Sequence, residues 1–226
     1  MYEDERDVVP PSPRGGGARV TAADGRVLGT RALRTRQRVL DATLKLLRER
    51  GVLDLRVIDV TRSIGLSPAT FYQYFAGVED AILALAEQAS EEVESMRPIV
   101  TEDWDGAPGM DHARELVSAF MEYRDRNQTL LRLRDLKATE NDRRFRALRR
   151  RSYAGLIGDL MAKIEAAKAA GRIPAEHDAF TAACGVMAML EQLGAYQAEL
   201  RRRSPSREAM IDTVAAMVLH ALTGRT

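Results

Sequence analysis

The sequence predicts an all-α protein in which a small N-terminal helix-turn-helix domain of three helices precedes a larger C-terminal helical domain, with about nine helices in total. From residue 31 onward, apolar residues recur every three or four positions, as they do on one face of a helix, and no segment alternates like a strand. Glycine, proline and asparagine stand where these periodic segments end. The 226 residues are 45% hydrophobic, which is enough to bury a sizeable core.

The first 30 residues differ in composition from the rest of the chain. Three prolines and a glycine run at 15–17 stand among scattered charges, with few apolar residues to bury. The predicted divisions are a disordered tail (1–30), a helix-turn-helix domain (31–85) and a second, larger domain (86–226).

Four helices are predicted before residue 100. The first has a broad apolar face that includes Val39, Leu40 and Leu47, and Gly51 ends it. Pro98 is predicted to end the fourth, because the residue before a proline is disfavoured in helical conformation. The predicted helices are about 32–50, 56–64, 68–75 and 78–97.

Five more helices are predicted in the rest of the chain. Asn127 and the pair Asn141-Asp142 are typical of helix N-termini, and Gly171 is typical of a helix end. The segment 204–206 separates the last two helices. These helices are about 110–126, 128–139, 142–170, 178–202 and 206–223.

Charge is unevenly distributed along the chain. Residues 31–75 carry nine basic and four acidic residues, a net charge of +5, although the whole chain has a net charge of only +1. Residues 1–30 have a net charge of −1, which leaves −3 for the remainder. A basic first domain beside a mildly acidic second one indicates that only the first contacts nucleic acid.

Several other classes of protein are disfavoured. No stretch approaches the roughly 18 uninterrupted apolar residues of a membrane helix, and the acidic, then Pro/Gly-rich N-terminus is unlike a secretory signal. The single cysteine, Cys184, excludes an intramolecular disulfide. We therefore expect a cytoplasmic protein that does not contact a membrane.

Enzymatic motifs are also missing from the sequence. It contains no phosphate-binding loop, no serine-centred elbow and no HExxH motif. His112, His177 and His220 lack the spacing of metal ligands, and Cys184 has no neighbouring base. We expect no catalytic residue, no metal and no cofactor.

The segment 57–75 carries two short helices around one tight turn. Gly65 can adopt the left-handed conformation that ends the first helix, and Leu66 then fills the small core. Ser67 is suited to accept a hydrogen bond from the next helix, and Pro68 to occupy its first position.

The helix that follows this turn has a polar outer face. Phe71 and Phe75 are four residues apart and should face inward. Hydroxyl groups on the other face suit phosphates, Gln73 suits a base edge, and small residues suit a thymine methyl group. The outer residues are Ser67, Pro68, Ala69, Thr70, Tyr72, Gln73 and Tyr74. From this geometry alone, a plain helical hairpin with exposed tyrosines remains equally acceptable.

At these residues the chain resembles the DNA-binding domain of the TetR family of transcriptional regulators. The resemblance runs from Arg34 to about Leu85 and includes the Gly65-Leu66-Ser67 turn, the run over 70–75 and the following run over 79–83. It implies a homodimeric repressor, a double-stranded operator with two half-sites, and a C-terminal domain that binds a small-molecule effector. It also implies DNA contacts at the seven outer residues named above.

One position departs from the family pattern. Family members usually have a lysine that binds a phosphate at the start of the fourth helix, where this sequence has Val78. Backbone N–H groups at that helix start, or the arginines at 31, 34 and 36, would have to replace the contact. We include Arg34 and Arg36 among the DNA-binding candidates, because a basic arm before a DNA-binding helix can enter the minor groove; the alternative is a solvated helix start.

For the C-terminal domain, the resemblance implies ligand binding and dimerisation. Helices 178–202 and 206–223 would form the dimer interface, since small residues in the first of them allow close helix approach. Some of these residues would instead belong to the core of a single chain.

The candidates for an effector pocket are apolar and aromatic residues of the middle helices. They are Trp104, Phe120, Met121, Tyr123, Leu133, Leu136, Tyr153, Ile157, Leu160, Met161 and Met187. Such residues at helical spacing also form plain core. The effector itself is unknown, and a largely hydrophobic compound is the default expectation.

Two questions stay open at this stage. The arginine run over 143–151 would either bind an anionic ligand, add a DNA surface, or form a solvated face paired with acids such as Glu140 and Asp142. The C-terminal domain would either sense a ligand or serve only dimerisation and protein contact. An enclosed apolar cavity within residues 100–200 would favour the ligand sensor.

Overall fold

The computed structural model describes residues 25–50, 55–106, 108–204 and 206–225. Most of the predicted tail, residues 1–24, and the predicted stop at Gly51 lie outside the described residues. The described residues form ten helices: α1 (Thr30–Arg50), α2 (Val57–Ser63), α3 (Pro68–Tyr72), α4 (Val78–Glu94), α5 (Arg97–Thr101), α6 (Pro108–Arg126), α7 (Gln128–Thr139), α8 (Arg143–Ala169), α9 (Ala179–Arg203) and α10 (Arg207–Thr223).

The all-α prediction is confirmed, and the helix boundaries agree with the predicted ones to within about three residues. The difference is one additional helix, because α4 ends at Glu94, three residues before the predicted Arg97, and the short α5 follows it. Pro98 lies in the first turn of the short helix α5, where its missing N–H breaks no helical hydrogen bond. The proline that was predicted to end a helix therefore lies at the second position of another.

Side-chain caps fix the starts of the long C-terminal helices. Asp142, Asp178 and Ser206 precede α8, α9 and α10, and each accepts a hydrogen bond from a backbone N–H two or three residues later, over 2.8–3.0 Å. Asn127 precedes α7 without capping it, because its side-chain amide donates to Glu92 of α4 over 2.9 Å.

Helices α1, α2 and α3 pack around the N-terminal part of the hydrophobic core. Val39 and Leu40 of α1 pack with Val60 of α2, with Phe71 of α3 and with Phe75 just after it, and all five are buried. The first helix pair is held further by Arg38, whose Nη2 donates to the carbonyl of Ile64 at the end of α2 over 2.9 Å.

Helix α4 belongs to both parts of the molecule. It packs on α1, α7 and α8, and its buried residues Ile82, Leu85, Ala89 and Val93 belong to one core cluster that extends from α1 to α10. Beyond α4, helices α6, α8, α9 and α10 pack around buried residues such as Phe120 and Leu190. Within the described ranges, no helix is long and apolar enough to cross a membrane.

Candidate nucleic-acid interface

The turn between α2 and α3 has the geometry that its sequence predicts. Gly65 has a φ of 66°, a conformation that residues with a side chain rarely adopt. The backbone N–H of Leu66 returns to the carbonyl of Thr61 over 2.9 Å, which closes the end of α2. Ser67 Oγ accepts a hydrogen bond from the backbone N–H of Thr70 over 3.2 Å, and Pro68 begins α3.

The two faces of the α3 segment differ sharply in burial. Phe71 is fully buried and Phe75 nearly so, with ring centroids 5.7 Å apart. Tyr72 is 52% exposed, and Gln73 is also exposed. The candidates Ser67, Pro68 and Ala69 are exposed as well, whereas Thr70 and Tyr74 are half-buried. The structure therefore exposes five of the seven predicted residues beside a buried aromatic seam, while Tyr74 packs partly against the core.

Two of the candidate hydroxyl groups already form a hydrogen bond with each other. Ser67 Oγ and Thr70 Oγ1 lie 2.9 Å apart and share a hydrogen bond. This hydrogen bond stabilises the start of α3. Tyr72 and Gln73 are thus the side chains of this surface with most freedom to reach outward.

The two candidate arginines of α1 differ in their surroundings. Arg34 is exposed, but the guanidinium carbon of Arg36 lies 4.9 Å from the centroid of the Phe75 ring, in a cation–π contact. Burial lowers the pKa of Arg36, and the charge of Glu87 opposes that shift, so the group stays protonated. Arg36 therefore supports the aromatic seam, and Arg34 is the better placed of the two for a phosphate.

The start of α4 offers no side chain in place of the lysine that the family pattern would put there. Val78 is half-buried and packs against the core. Asp80, two residues later, accepts a hydrogen bond from the backbone N–H of Ala76 over 3.1 Å and thereby fixes the loop after α3.

The first turn of α4 is joined to the C-terminal helices by ion pairs. Lys137 of α7 donates to Glu79 over 2.7 Å, and this hydrogen bond raises the pKa of the lysine. Arg144 of α8 donates to Asp80 over 2.6 Å. About two turns further along both helices, Arg151 donates to Glu87 over 3.2 Å. The predicted helix-turn-helix domain is therefore tied to the second domain by charged contacts along α4.

These contacts also account for part of the arginine run over 143–151. Arg144 pairs with Asp142 as well as with α4, and Asp142 is the main cause that raises the pKa of Arg144. Arg149 lies 4.0 Å from both Asp135 and Glu191. Pairing with neighbouring acids, one of the interpretations left open above, thus applies to three of these arginines.

The predicted pocket residues are mostly interior. Trp104, Phe120, Met121, Tyr123, Leu133, Tyr153, Leu160 and Met187 are buried, and Ile157 and Met161 are half-buried. Leu136 is the exception, because it is 52% exposed on the outer side of α7. Three cavities outlined by the described residues lie elsewhere, between α9 and α10, beside the start of α1, and between α4 and α8. None of the predicted pocket residues lines these three.

A buried polar cluster lies among these residues. Arg134 of α7 is fully buried, and its guanidinium contacts Asp135 over 2.9 Å, the Tyr153 hydroxyl over 3.2 Å and Glu191 over 3.4 Å. Among the residues that the structure describes, none is a hydrogen-bond partner of its Nη1 atom. The rings of Tyr123 and Tyr153 pack against the Phe120 ring, the first edge-to-face and the second tilted, with centroids 5.7 and 6.3 Å from that of Phe120.

Two further polar groups of this cluster lack partners within the described residues. Tyr123 is fully buried and its hydroxyl makes no hydrogen bond. Arg124 is only 7% exposed, and its Nη1 is likewise unpartnered. Burial, and to a lesser degree the neighbouring Tyr153, raises the pKa of Tyr123, while the charges of Arg134 and Arg124 oppose that rise. The phenol of Tyr123 therefore stays protonated.

Sequence reasoning passed over Arg124 and Arg134. A signal for each was present, because Arg124 lies four residues after the core residue Phe120, and Arg134 lies midway between Leu130 and Ala138 at four-residue spacing. Their positions are thus in phase with the buried face, even though arginine is seldom buried.

Together, the fold and this surface define an all-helical helix-turn-helix protein with a separate C-terminal domain. Two family models match the chain. Residues 39–85 match the model of bacterial regulatory proteins of the tetR family, and residues 96–226 match the tetracyclin repressor-like C-terminal domain. The chain therefore belongs to the TetR family and is a DNA-binding transcriptional regulator, which is a class of protein without enzymatic activity.

Solved structures of other regulators share this fold. GusR of Salmonella enterica is 22% identical, with a TM-score of 0.65, over 84% of this chain and 96% of that one. The fatty acid degradation regulator FadR of Bacillus halodurans is 17% identical, with a TM-score of 0.64, over 88% and 100%. FadR of Bacillus subtilis, solved in complex with stearoyl-CoA, is 15% identical, with a TM-score of 0.60, over 84% and 99%. No curated protein matches the sequence.

Proposed function

We propose that the protein is a homodimeric repressor that leaves its operator when a small, largely hydrophobic molecule binds the C-terminal domain. The observation that carries this proposal is the α3 surface, where the exposed Tyr72 and Gln73 lie directly above the buried Phe71 and Phe75. Such an arrangement suits insertion of a short rigid helix into the major groove, with hydroxyls toward phosphates and an amide toward a base edge.

The proposed dimer interface lies on α9 and α10. Each helix packs against the rest of the chain with one face, while Tyr196 of α9 and Met217 of α10 remain about half exposed on the other. Between the two helices lies an apolar groove of about 600 Å³ whose lining includes Gly185, Met189 and Met217. An exposed apolar surface on two adjacent helices supports pairing with a second copy across a two-fold axis.

The link from effector to operator would run through α4. Its first turn is bound to α7 and α8 by Glu79 and Asp80, and Asp80 also fixes the loop that follows α3. A small shift of α7 and α8 on effector binding would therefore move the two α3 helices away from the spacing of successive major grooves, about 34 Å. Fatty acyl compounds form one class of effector to test, given the stearoyl-CoA bound by the structurally similar FadR.

A second function is supported by the packing of the C-terminal interior. Eight of the eleven predicted pocket residues are buried, and the three cavities described above lie outside that group. A domain filled in this way would serve dimerisation or protein contact alone. The two functions differ in whether any small molecule changes operator affinity.

The first experiment is a gel-shift titration of the full chain against the DNA upstream of its own gene, at several salt concentrations, with a random duplex as control. We expect saturable binding that prefers the upstream DNA and weakens with salt. Tyr72→Phe and Gln73→Ala should each weaken it, whereas Gln128→Ala, at an exposed glutamine of α7, should not. Unchanged affinity in both α3 variants would overturn the assignment of this surface.

A further inference from the structure

The C-terminal domain contains one more buried positive charge than its neighbours neutralise. Around the polar cluster lie two buried arginines, Arg124 and Arg134, the half-exposed Arg149, and the partly exposed carboxylates of Asp135 and Glu191. Both carboxylates lie between Arg134 and Arg149 and contact each of them. Arg124 makes no ion pair and no hydrogen bond with its side chain within the described residues, which leaves a net charge of +1.

An unpaired guanidinium in this position is costly for the folded protein. Removing a charge from water requires a compensating charge or hydrogen bonds, and a buried cation that lacks both destabilises the fold. The chain nevertheless accommodates Arg124 specifically. The stem of its side chain lies against Gly194 of α9, where a Cβ would come within 2.7 Å of the Arg124 Cγ. A glycine at this point of α9 therefore leaves room for the arginine.

Each of the unpartnered polar atoms of the cluster can donate a hydrogen bond. They are Nη1 of Arg124, Nη1 of Arg134 and the hydroxyl of Tyr123, and burial keeps the phenol protonated by raising its pKa. Three donors with an excess of one positive charge are complementary to a group that carries one negative charge and several acceptor lone pairs. A carboxylate meets both conditions.

We propose that the effector is a carboxylate on an apolar body, and that its carboxylate binds between Arg124 and Arg134 and accepts a hydrogen bond from the Tyr123 hydroxyl. The proposal rests on the function proposed above and specifies the chemistry of the effector. The apolar part would enter among the aromatic side chains of Phe120 and Tyr153, and the interior would open to admit it, as ligand-dependent regulators do by a shift of population.

The test uses purified full-length protein and a series of probes: butyrate, hexanoate and octanoate, each compared with its neutral amide. The readouts are the thermal midpoint, Tm, and isothermal titration calorimetry, neither of which requires DNA. We expect the carboxylates to raise Tm in a saturable way, more strongly with chain length, and the amides to have little effect. Failure of every carboxylate to raise Tm, or an equal rise with the amides, would overturn the proposal.

Arg124→Met provides a sharper test, because methionine keeps much of the stem that packs on Gly194 and removes the unpaired charge. This variant should raise the Tm of the unliganded protein by about 2–4 °C and reduce affinity for octanoate at least about tenfold. Tyr123→Phe should reduce the same affinity less. The matched control is Arg126→Met, two residues further along α6, where the arginine is exposed and paired with Glu92.

The control should keep the response to octanoate and gain no stability. A fall in Tm for Arg124→Met, or an unchanged response to octanoate, would contradict the proposal. Operator binding is measured in parallel, so that the two proposals can fail separately. If the operator is bound and octanoate is not, the carboxylate proposal is wrong and the repressor stands. If octanoate binds but no DNA is bound, the repressor proposal is wrong.

Discussion

Arg144, in the first turn of α8, donates a hydrogen bond from Nη1 to Oδ1 of Asp80 in the first turn of α4, over 2.6 Å. The other oxygen of the same carboxylate accepts a hydrogen bond from the backbone N–H of Ala76 over 3.1 Å. One aspartate thus connects the loop after α3 with the C-terminal domain. Such a contact is suited to transmit a shift of α8 to the DNA-binding surface.

Arg144→Gln tests this connection. Both side chains are partly exposed, so the loss of free energy of unfolding should be less than about 1 kcal/mol. Affinity for the operator should fall by about fivefold, because the loop would have to become ordered on binding. Urea unfolding and gel shifts measure the two effects. The control is Arg143→Gln at the exposed neighbouring arginine. If the two variants had the same operator affinity, the contact between Arg144 and Asp80 would not connect the C-terminal domain to the DNA-binding surface.

The turn before α3 should depend on backbone conformation alone. A Cβ at Gly65 would meet no atom within 4 Å, yet its φ of 66° disfavours any residue with a side chain. Gly65→Ala should therefore lower the free energy of unfolding by about 1 kcal/mol. Gly158→Ala, at an equally open site within α8, should instead raise it by about 0.5–1 kcal/mol, because alanine favours a helix. Urea unfolding measures both effects. If both substitutions raised the free energy of unfolding, the turn would tolerate a residue with a side chain at position 65.

The two arginines at the start of α1 should respond differently to substitution. Arg34→Ala should reduce the slope of log K against log salt in operator binding by about one, as expected for the loss of one phosphate contact. Arg36→Ala should mainly lower stability, since that arginine covers the Phe75 ring. Gel shifts over a range of salt, combined with thermal unfolding, distinguish these effects. If Arg34→Ala left the slope of log K against log salt unchanged, Arg34 would not contact a phosphate of the operator.

Local patterns were sufficient to predict the fold and much of the DNA-binding surface. Apolar periodicity and capping residues act within a few positions of the chain, so the starts of α8 and α10 at Asp142 and Ser206 could be located from the sequence. The turn at Gly65 and the aromatic pair Phe71 and Phe75 are equally local. For these elements, no knowledge of distant contacts was required.

The interior of the C-terminal domain could not be predicted in the same way. Sequence reasoning placed Leu136 in the pocket and passed over Arg134, but the structure exposes the leucine and buries the arginine. Hydrophobicity assigns an arginine to the surface unless its partners are known, and here they come from other helices, with Tyr153 on α8 and Glu191 on α9. The position of Arg124 likewise depends on Gly194, 70 residues later in the chain.

Acid should weaken the C-terminal helices through Asp142. Its hydrogen bond with the Arg144 side chain, and also with the backbone N–H of that residue, lowers the pKa of Asp142 below its ordinary value. A carboxyl group whose pKa is lower in the folded state stabilises the protein above its unfolded pKa, and this contribution is lost as the pH falls through the folded pKa. Asp142→Asn should therefore flatten the decline of stability below about pH 4, as followed by helical circular dichroism. Glu115→Gln, at an exposed glutamate of α6, should leave the decline unchanged.

The proposed dimer can be tested with two equally exposed apolar residues. Met217 on α10 and Leu136 on α7 are each 52% exposed, but only Met217 lines the groove between α9 and α10. Met217→Lys would place a charge in the interface and should weaken dimerisation by at least about tenfold in sedimentation equilibrium. Operator affinity should fall with it, because two half-sites are bound together only by a dimer. Leu136→Lys should change neither. If both variants remain dimeric, the second copy must pack on another surface, and the two α3 helices would then have a different spacing.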